Sequence, residues 1–272
     1  MLAIARWTLV LAIFLFVPGC GEIESEVDAP LTVSNHKPGY TEYARLLRDY
    51  VIPGRGVDYA GLKSNDSETL RQIRQEFAKV DVSALSHDEK LAYWINVYNA
   101  NVLGIVVEHY PIDSIRDIST DPVRQLNVFE QPLVPAQGEK VSLDTVEHEE
   151  IRGEFDEPRI HFAVNCAAES CPPIRPEPFV GERLDEQLDQ QTRRFLRGPQ
   201  GVRLEQRADT LVVHTTKIMD WFREDFEKAG GIVDFIMPYL EQPARIEIAT
   251  AETIEIEFDD YSWALNDASR RE

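Results

Sequence analysis

Apolar residues recur at helical spacing in several segments of the chain. In residues 40–50, Tyr43, Leu46 and Leu47 fall on one side of a helix. Residues 67–80, 182–196, 216–228 and 232–240 show similar spacing, and we predict helices there as well. Helices therefore make up most of the predicted secondary structure.

The segment from residue 87 to residue 109 is apolar on nearly every side. Ser86 is followed three residues later by Glu89, a capping box that marks the start of a helix. Pro111 marks its end, and a helix without a polar face belongs in the middle of a domain. We therefore predict a central buried helix over residues 87–109.

Three side chains of this central helix are candidates for binding a ligand. They are Trp94, Asn96 and Asn99. A buried amide without a partner costs about 1–3 kcal/mol, so both asparagines must be hydrogen-bonded. Their amides either hold neighbouring loops in place or contact a substrate directly.

Another helix is predicted over residues 142–152. Glu147 lies four residues from an apolar position in each direction, which places it on the inward side of this helix. The neighbouring His148 is rotated by ~100° from it. An inward carboxylate either pairs with an arginine, such as Arg152 or Arg159, or has a raised pKa.

Alternating apolar residues predict a few short strands. Residues 160–164 alternate, and we predict a strand there that leads directly into a loop with two thiols. Residues 202–204 and 211–213 predict a hairpin, and residues 253–258 a half-exposed strand. Because helices and strands do not alternate regularly, we predict an α+β fold, mostly helical, with a small sheet of short strands.

The first nineteen residues have the pattern of an export signal. Arg6 precedes an apolar stretch too short to span a membrane, and Gly19 and Cys20 follow that stretch. The pattern is typical of a bacterial lipoprotein in which Cys20 carries the lipid, and an ordinary secretory signal is the alternative. The absence of Asp after Cys20 favours the outer membrane, with the protein facing the periplasm.

The rest of the chain divides into three parts. Residues 20–39 are polar and contain two prolines, which predicts a flexible tether. Residues 40–266 are long enough for a single α+β domain with a sizeable core. We predict that residues 267–272 form a disordered tail.

Acidic residues outnumber basic ones, 48 to 28, so the net charge is −20. A domain with this charge is repelled by phosphate backbones and by anionic lipid headgroups. We therefore expect no nucleic-acid partner. Attachment to a membrane would depend on the lipid at Cys20 and not on a basic surface.

Several motifs occur in an order that resembles a known family. They lie at residues 57–63 (VDYAGLK), 94–99 (WINVYN), 143–148 (LDTVEH), 160–166 (IHFAVNC), 170–172 (SCP) and 261–266 (YSWALN). Together they resemble the family called domain of unknown function 547, over roughly residues 40–266. The resemblance implies no particular reaction. It draws attention to Glu147, His148, His161, Asn165, Cys166, Ser170 and Cys171.

The two thiols after the predicted strand allow three interpretations, of which the first is a disulfide. Cys166 and Cys171 are the cysteines that remain once Cys20 carries a lipid, and an exported protein lies in an oxidising compartment. A four-residue spacer permits the bridge if the loop turns back. In this interpretation the chain is a non-catalytic envelope lipoprotein whose disulfide is structural or redox-switchable.

The second interpretation is a thiol nucleophile assisted by a histidine. Cys171 is the expected nucleophile, because Ser170 and nearby backbone N–H groups could stabilise an oxyanion. His161 or His148 would act as the base, and Glu147 would orient it. The protein would then be a hydrolase or acyl transferase that acts on a small peptide or amide.

The third interpretation is a zinc site. Cys166 and Cys171 would bind the metal together with His148 and His161, although four residues between two cysteines is a loose spacing for zinc. We expect no cofactor, and whether the chain is an enzyme stays open.

Other residues complete the predicted site or lie outside it. Asn165 and Ser170 are additional candidates for binding, because they flank the thiols in sequence. Trp221, Tyr261 and Trp263 are interpreted as core residues and not as a binding surface.

Overall fold

The structure is a computed structural model and describes residues 38–118 and 126–270. The predicted export signal, Cys20 and nearly all of the predicted tether lie outside the described residues.

The described residues form a mostly helical α+β domain, as predicted. The α-helices are α1 (Thr41–Tyr50), α2 (Tyr59–Ala78), α3 (His87–His109), α4 (Leu143–Thr145), α5 (Leu184–Leu196), α6 (Ile218–Trp221), α7 (Arg223–Lys228), α8 (Ile232–Ile236) and α9 (Gln242–Thr250). The strands are β1 (Val51–Ile52), β2 (Gly56–Val57), β3 (Val134–Ala136), β4 (Glu139–Val141), β5 (Arg203–Arg207), β6 (Thr210–Thr215) and β7 (Thr253–Phe258). Within the described ranges, no helix is both long enough and apolar enough to cross a membrane.

Helix α3 lies in the centre of the larger hydrophobic core, as predicted. The Ser86 hydroxyl accepts the Glu89 backbone N–H, and the Glu89 carboxylate accepts the Ser86 backbone N–H. Every residue from Leu91 to Val107 is buried. Helix α2 packs along it, and Tyr93 donates a hydrogen bond to the carbonyl of Phe77 in α2.

A second hydrophobic core lies under a three-stranded sheet. Strands β5 and β6 form the predicted hairpin, with Arg203 opposite His214. Strand β7 pairs with β6 in parallel, with Ile256 opposite Val213. Helices α6 to α9 contribute to this second core, and two further hairpins, β1–β2 and β3–β4, stand apart from the sheet.

The prediction of a strand at residues 160–164 is wrong. A 3₁₀-helix spans Pro158–Phe162 instead, with Pro158 in its first turn. The residues on both faces of the expected strand, Ile160, His161 and Phe162 among them, are buried, so the alternation does not separate an inner from an outer face. Burial on every side removed the distinction on which the prediction depended.

The single helix predicted at residues 216–228 is broken in two. Phe222 has φ −108° and ψ 30°, outside the helical range, and it separates α6 from α7. Trp221, which we expected in the core, is 46% exposed. The sequence pattern also missed α9.

Part of the predicted tail belongs to the domain. Asp267 is buried, and its carboxylate accepts the Tyr110 hydroxyl at 2.9 Å. A 3₁₀-helix follows at Ala268–Arg270. The last two residues lie outside the described ranges.

Candidate functional site

The two thiols meet because the chain turns back directly after Cys166. Ala167 has φ 61°, a left-handed conformation, and the Cys171 N–H donates to the Ala168 carbonyl at 3.1 Å. The sulfurs of Cys166 and Cys171 lie 2.7 Å apart, and both cysteines are free. The backbone N–H of Cys166 donates to the Cys171 sulfur at 2.9 Å. We call residues 166–171 the thiol loop.

Asparagines hold the thiol loop in place. The Asn165 side-chain amide donates to the Pro172 carbonyl at 2.7 Å, and its oxygen accepts the Ala167 N–H at 2.9 Å. Asn99 of α3 accepts the Asn165 backbone N–H at 2.8 Å and donates to the Ala163 carbonyl at 2.9 Å. The loop is therefore fixed at both ends to the central helix.

The other predicted binding residues also make contacts within the protein. Asn96 exchanges two hydrogen bonds with the backbone of Phe179. The Ser170 hydroxyl accepts the Ser262 N–H at 2.9 Å, and Trp94 is buried. None of Trp94, Asn96, Asn99, Asn165 and Ser170 lines the cavity beside the thiols. The interpretation that the helix asparagines hold neighbouring loops is the one that the contacts support.

The two thiols differ in exposure and in pKa. Cys166 is partly exposed; burial alone would raise its pKa, but hydrogen bonds from the Cys171 thiol, the Tyr261 hydroxyl and the Ala168 N–H lower it below its usual value. Cys171 is buried, and burial together with its hydrogen bond to Cys166 raises its pKa well above the usual range. Since the thiolate is the nucleophile, these pKa shifts favour Cys166 as the more reactive thiol, whereas the sequence had led us to expect Cys171.

A cavity of about 240 Å³ lies beside the thiol loop. Its thiol side is lined by Cys166, Cys171 and Tyr261, whose hydroxyl lies 3.1 Å from the Cys166 sulfur. Its imidazole side is lined by Glu147, His148 and His161. The structure thus brings all five predicted catalytic residues to one cavity.

Glu147 reaches the cavity through an irregular turn. Helix α4 continues into a π-helical turn at Val146–Ile151, a feature that often occurs at functional sites. Burial raises the pKa of Glu147 to about 7, and a hydrogen bond with the Tyr98 hydroxyl opposes part of this shift. The inward position and the raised pKa of Glu147 agree with the sequence alternative in which the carboxylate has no arginine partner and its pKa is raised.

The other alternative, an ion pair between Glu147 and an arginine, does not match the contacts. Arg152 pairs with Asp225 at 2.6 Å. Arg159 pairs with Glu157 at 2.6 Å and with two further aspartates of α5.

His161 is paired with an acid that the sequence did not reveal. Its Nε2 lies 2.8 Å from Asp225 of α7, and its ring stacks on Phe222 with 4.0 Å between the ring centroids. Burial lowers the pKa of His161, so the ring is neutral and Nε2–H donates to the carboxylate. Its Nδ1 has no hydrogen-bond partner among the described residues.

His148 lies at the open edge of the cavity. Its Nδ1 is 2.9 Å from the Arg152 guanidinium, and burial together with this neighbouring charge lowers its pKa. Within the described ranges, neither His148 nor His161 forms a hydrogen bond with a sulfur atom. The direct thiol–imidazole pair of the second interpretation is therefore not present in this arrangement.

The predicted zinc ligands do not form a cluster. Among residues 38–118 and 126–270, no group of three or more His, Cys, Asp or Glu side chains could hold a metal ion. The imidazole of His161 is oriented by Asp225 and Phe222, and the thiols contact each other and Tyr261.

Aromatic residues line the rest of the cavity, and sequence reasoning had placed three of them in the core. Trp221, Tyr261 and Trp263 pack against one another, with ring centroids 4.7 to 6.0 Å apart. All three also line the cavity. The break in the helix at Phe222 brings Trp221 to the surface, and no local pattern in the sequence signals that break.

A family model described as "Protein of unknown function, DUF547" matches residues 82–196. No curated protein and no solved structure matches the chain. The matched segment extends from the turn before α3 to the end of α5, so it includes both thiols of the loop, Glu147 and His161. Over residues 82–196 the chain therefore resembles the DUF547 family, as the sequence motifs predicted.

Proposed function

We propose that the chain carries a thiol–disulfide redox site, in which Cys166 attacks and Cys171 resolves. The observation that carries this proposal is the contact between two unequal thiols, 2.7 Å apart. The partly exposed Cys166 has the lowered pKa, and the buried Cys171 has the raised one. This division suits an attacking thiolate beside a protected second thiol.

The reaction proceeds in two exchanges. The Cys166 thiolate attacks one sulfur of a substrate disulfide, the substrate S–S bond breaks, and one substrate thiolate leaves with the electron pair and takes up a proton. Cys171 then loses its proton and attacks the Cys166 sulfur, which breaks the mixed disulfide and releases the second substrate thiol. The substrate disulfide is reduced, the Cys166–Cys171 pair is oxidised to a disulfide, and a dithiol reductant restores the pair.

The proposed setting is the bacterial cell envelope. The signal pattern before Cys20 supports a lipid anchor in the outer membrane, facing the periplasm. Disulfide chemistry suits that compartment, because exported proteins contain disulfides that require formation, reduction or exchange. The net charge of −20 argues against a nucleic-acid partner.

Stoichiometric release of a chromogenic thiol tests the proposal. The reduced chain carries Cys20→Ser, so that only the two thiols of the loop react, and is mixed with an aromatic disulfide whose released thiol absorbs light. The chain with both thiols should release two equivalents of the chromogenic thiol. Cys171→Ser should release one equivalent and keep the other as a stable adduct, and Cys166→Ser should release thiol more slowly by on the order of 100-fold. Release by Cys166→Ser at the rate of the unsubstituted thiol pair would exclude the proposal.

A cysteine hydrolase or acyl transferase that acts on a small peptide or amide is the second candidate. The observation that favours it is the His161–Asp225 pair. The His161 ring lines the same cavity as Cys166, and its Nδ1 has no hydrogen-bond partner in the part of the chain that the structure describes. Such an enzyme needs Cys166 and His161 but not Cys171. Turnover of a chromogenic amide that survives Cys171→Ser and is lost in His161→Gln would favour this candidate over the redox site.

A further inference from the structure

The thiol side of the cavity continues into a surface made of three aromatic rings. The ring centroids of Trp221 and Tyr261 lie 4.7 Å apart, those of Tyr261 and Trp263 4.9 Å, and those of Trp221 and Trp263 6.0 Å. Trp221 is 46% exposed, and Tyr261 and Trp263 are partly exposed. We call these three residues the aromatic wall. An exposed apolar surface beside a reactive group is typical of a ligand site.

Hydrogen bonds to the thiol loop hold the aromatic wall beside the thiols. Ser262, between two of its rings, donates to the Ser170 hydroxyl at 2.9 Å and accepts the Ser170 N–H at 3.3 Å. The Glu169 N–H donates to the Ala264 carbonyl at 2.7 Å. Tyr261 and Trp263, on either side of Ser262, both line the cavity. A ligand on the wall is therefore held at a fixed distance from Cys166.

The net negative charge of the chain disfavours anionic ligands at the cavity. Asp144 lines it together with Glu147, whose raised pKa leaves it only partly ionised at neutral pH. Among the described residues no lysine or arginine lines the cavity, and the Arg116 guanidinium lies over the Trp263 ring, 5.0 Å from its centroid. The chain as a whole carries a net charge of −20. The field of the chain therefore attracts a cationic ligand, does not hinder a neutral one and repels one that carries a carboxylate.

We propose that the aromatic wall binds the residues that flank the reacting disulfide of a peptide or protein, and that it selects apolar or aromatic side chains in a neutral or cationic segment. This inference rests on the proposed redox function and names its class of substrate. The flat rings provide contact area at small entropic cost, and Tyr261 joins the wall to the chemistry through its hydroxyl 3.1 Å from the Cys166 sulfur.

Matched peptide disulfides test this proposal. Each peptide carries one cysteine blocked by the same chromogenic thiol, with Phe and Lys, Gly and Lys, or Phe and Glu as its neighbours. Hydroxyethyl disulfide serves as a small probe without side chains. With the reduced Cys20→Ser chain, we expect the Phe–Lys peptide to react roughly five to ten times faster than the Gly–Lys peptide. The Phe–Glu peptide should also be slower than the Phe–Lys peptide, most clearly at low salt.

Substitution of the exposed Trp221 tests whether the preference for the Phe–Lys peptide depends on the aromatic wall. Trp221→Ala should reduce the ratio of the Phe–Lys rate to the Gly–Lys rate to below roughly twofold. Ile246→Ala is the matched control, because Ile246 is 54% exposed on α9 and should leave the ratio unchanged. Thermal unfolding of both variants verifies that they are folded.

The outcomes separate this inference from the redox function. If hydroxyethyl disulfide reacts but the Phe–Lys and Gly–Lys peptides react equally, the inference is wrong and the redox site stands. The inference is also wrong if Trp221→Ala keeps the full preference. If no disulfide reacts with the reduced chain, both the proposed redox function and the proposed substrate class are wrong.

Discussion

The two sides of the cavity contain titratable groups in opposite charge states. On the thiol side, Cys166 accepts hydrogen bonds from Cys171 and Tyr261, which favours the charged thiolate. On the imidazole side, burial keeps His161 neutral although Asp225 lies 2.8 Å from its Nε2. Burial opposes the charged form of both Cys166 and His161, and hydrogen bonds outweigh burial at Cys166 but not at His161.

This difference indicates where the reactivity of the cavity lies. Asp225 is already paired with Arg152 at 2.6 Å, so its charge is shared and stabilises an imidazolium at His161 less than a lone carboxylate would. The Cys171 thiol and the Tyr261 hydroxyl are neutral donors beside Cys166, and they stabilise the thiolate without a counter-charge. We therefore expect reactivity at the thiols and a mainly positioning role for the imidazole side.

The largest expected effect is the difference in alkylation rate between the two thiols. At pH 7, iodoacetamide should modify Cys166 faster than Cys171 by on the order of a thousandfold, because Cys166 has the lowered pKa and the greater exposure. Mass spectrometry of the reduced Cys20→Ser chain after timed quenching measures both rates. Equal rates, or faster modification of Cys171, would remove the asymmetry on which the redox proposal depends.

The next effect in size concerns the imidazole side. Asp225→Asn should lower the free energy of unfolding at pH 7 by about 2–4 kcal/mol, since it leaves Arg152 and His161 without their shared acceptor. Burial alone would raise the pKa of Asp225, but hydrogen bonds from His161 and Arg152 hold it well below the ordinary value of 3.8. The stability from this carboxylate is thus present above pH 3.8 and lost as the pH falls further, so the variant and the natural chain should converge in acid.

Denaturant unfolding at several pH values measures this effect, and Asp220→Asn is the matched control. Asp220 pairs with Lys217 and Arg223 on the surface of the neighbouring helix, so its loss should change the free energy of unfolding little. The same Asp225→Asn variant also sharpens the comparison between the two sides. An unchanged alkylation rate of Cys166 would show that the reactivity of the thiol side does not depend on the imidazole side. A large decrease in that rate would favour the hydrolase candidate.

Much of the fold could be predicted from local patterns. The capping box at Ser86, the apolar run of α3 and the stop before Pro111 fix one helix almost completely. The hairpin and the strand at 253–258 were likewise evident from alternation. The same rule failed at residues 160–164, because both faces of that segment are buried and alternation then carries no information.

The site could be predicted only in part, since its key contacts join distant residues. Glu147 was found because its position within one helix is a local property. Asp225 lies 64 residues from His161, and Tyr261 lies 95 residues from Cys166, so no local pattern connects them. The difference in burial between the two thiols was also missed, because position in a loop does not report which thiol the fold buries.

A smaller effect is expected from Glu147, and it depends on pH. Its pKa is raised from 4.5 to about 7 by burial, so the folded state retains a proton that the unfolded state loses. Stability is therefore unaffected below pH 4.5 and falls as the pH rises towards 7. Glu147→Gln removes this cost and should raise the free energy of unfolding by roughly 1–3 kcal/mol at pH 8, with little gain at pH 4.5.

Thermal unfolding of Glu147→Gln at pH 4.5 and at pH 8 tests whether the substitution stabilises the chain at the higher pH. Glu149→Gln, an exposed position on the same turn, is the control and should change stability little at either pH. A variant at Glu147 that is less stable than the natural chain at pH 8 would contradict a protonated carboxyl at that position.

The smallest expected effect separates chemistry from binding on the thiol side. Tyr261→Phe keeps the ring but removes the hydroxyl that lies 3.1 Å from the Cys166 sulfur. With one donor fewer, the pKa of Cys166 should rise, and its alkylation at neutral pH should slow by roughly threefold to tenfold. Tyr50→Phe, whose hydroxyl donates to Asp66 at 2.6 Å, is the control and should leave the rate unchanged. The Tyr261→Phe chain should still prefer the Phe–Lys peptide over the Gly–Lys peptide, because the aromatic wall retains its three rings. Loss of that preference without a change in alkylation rate would mean that the hydroxyl acts in binding and not on the thiolate.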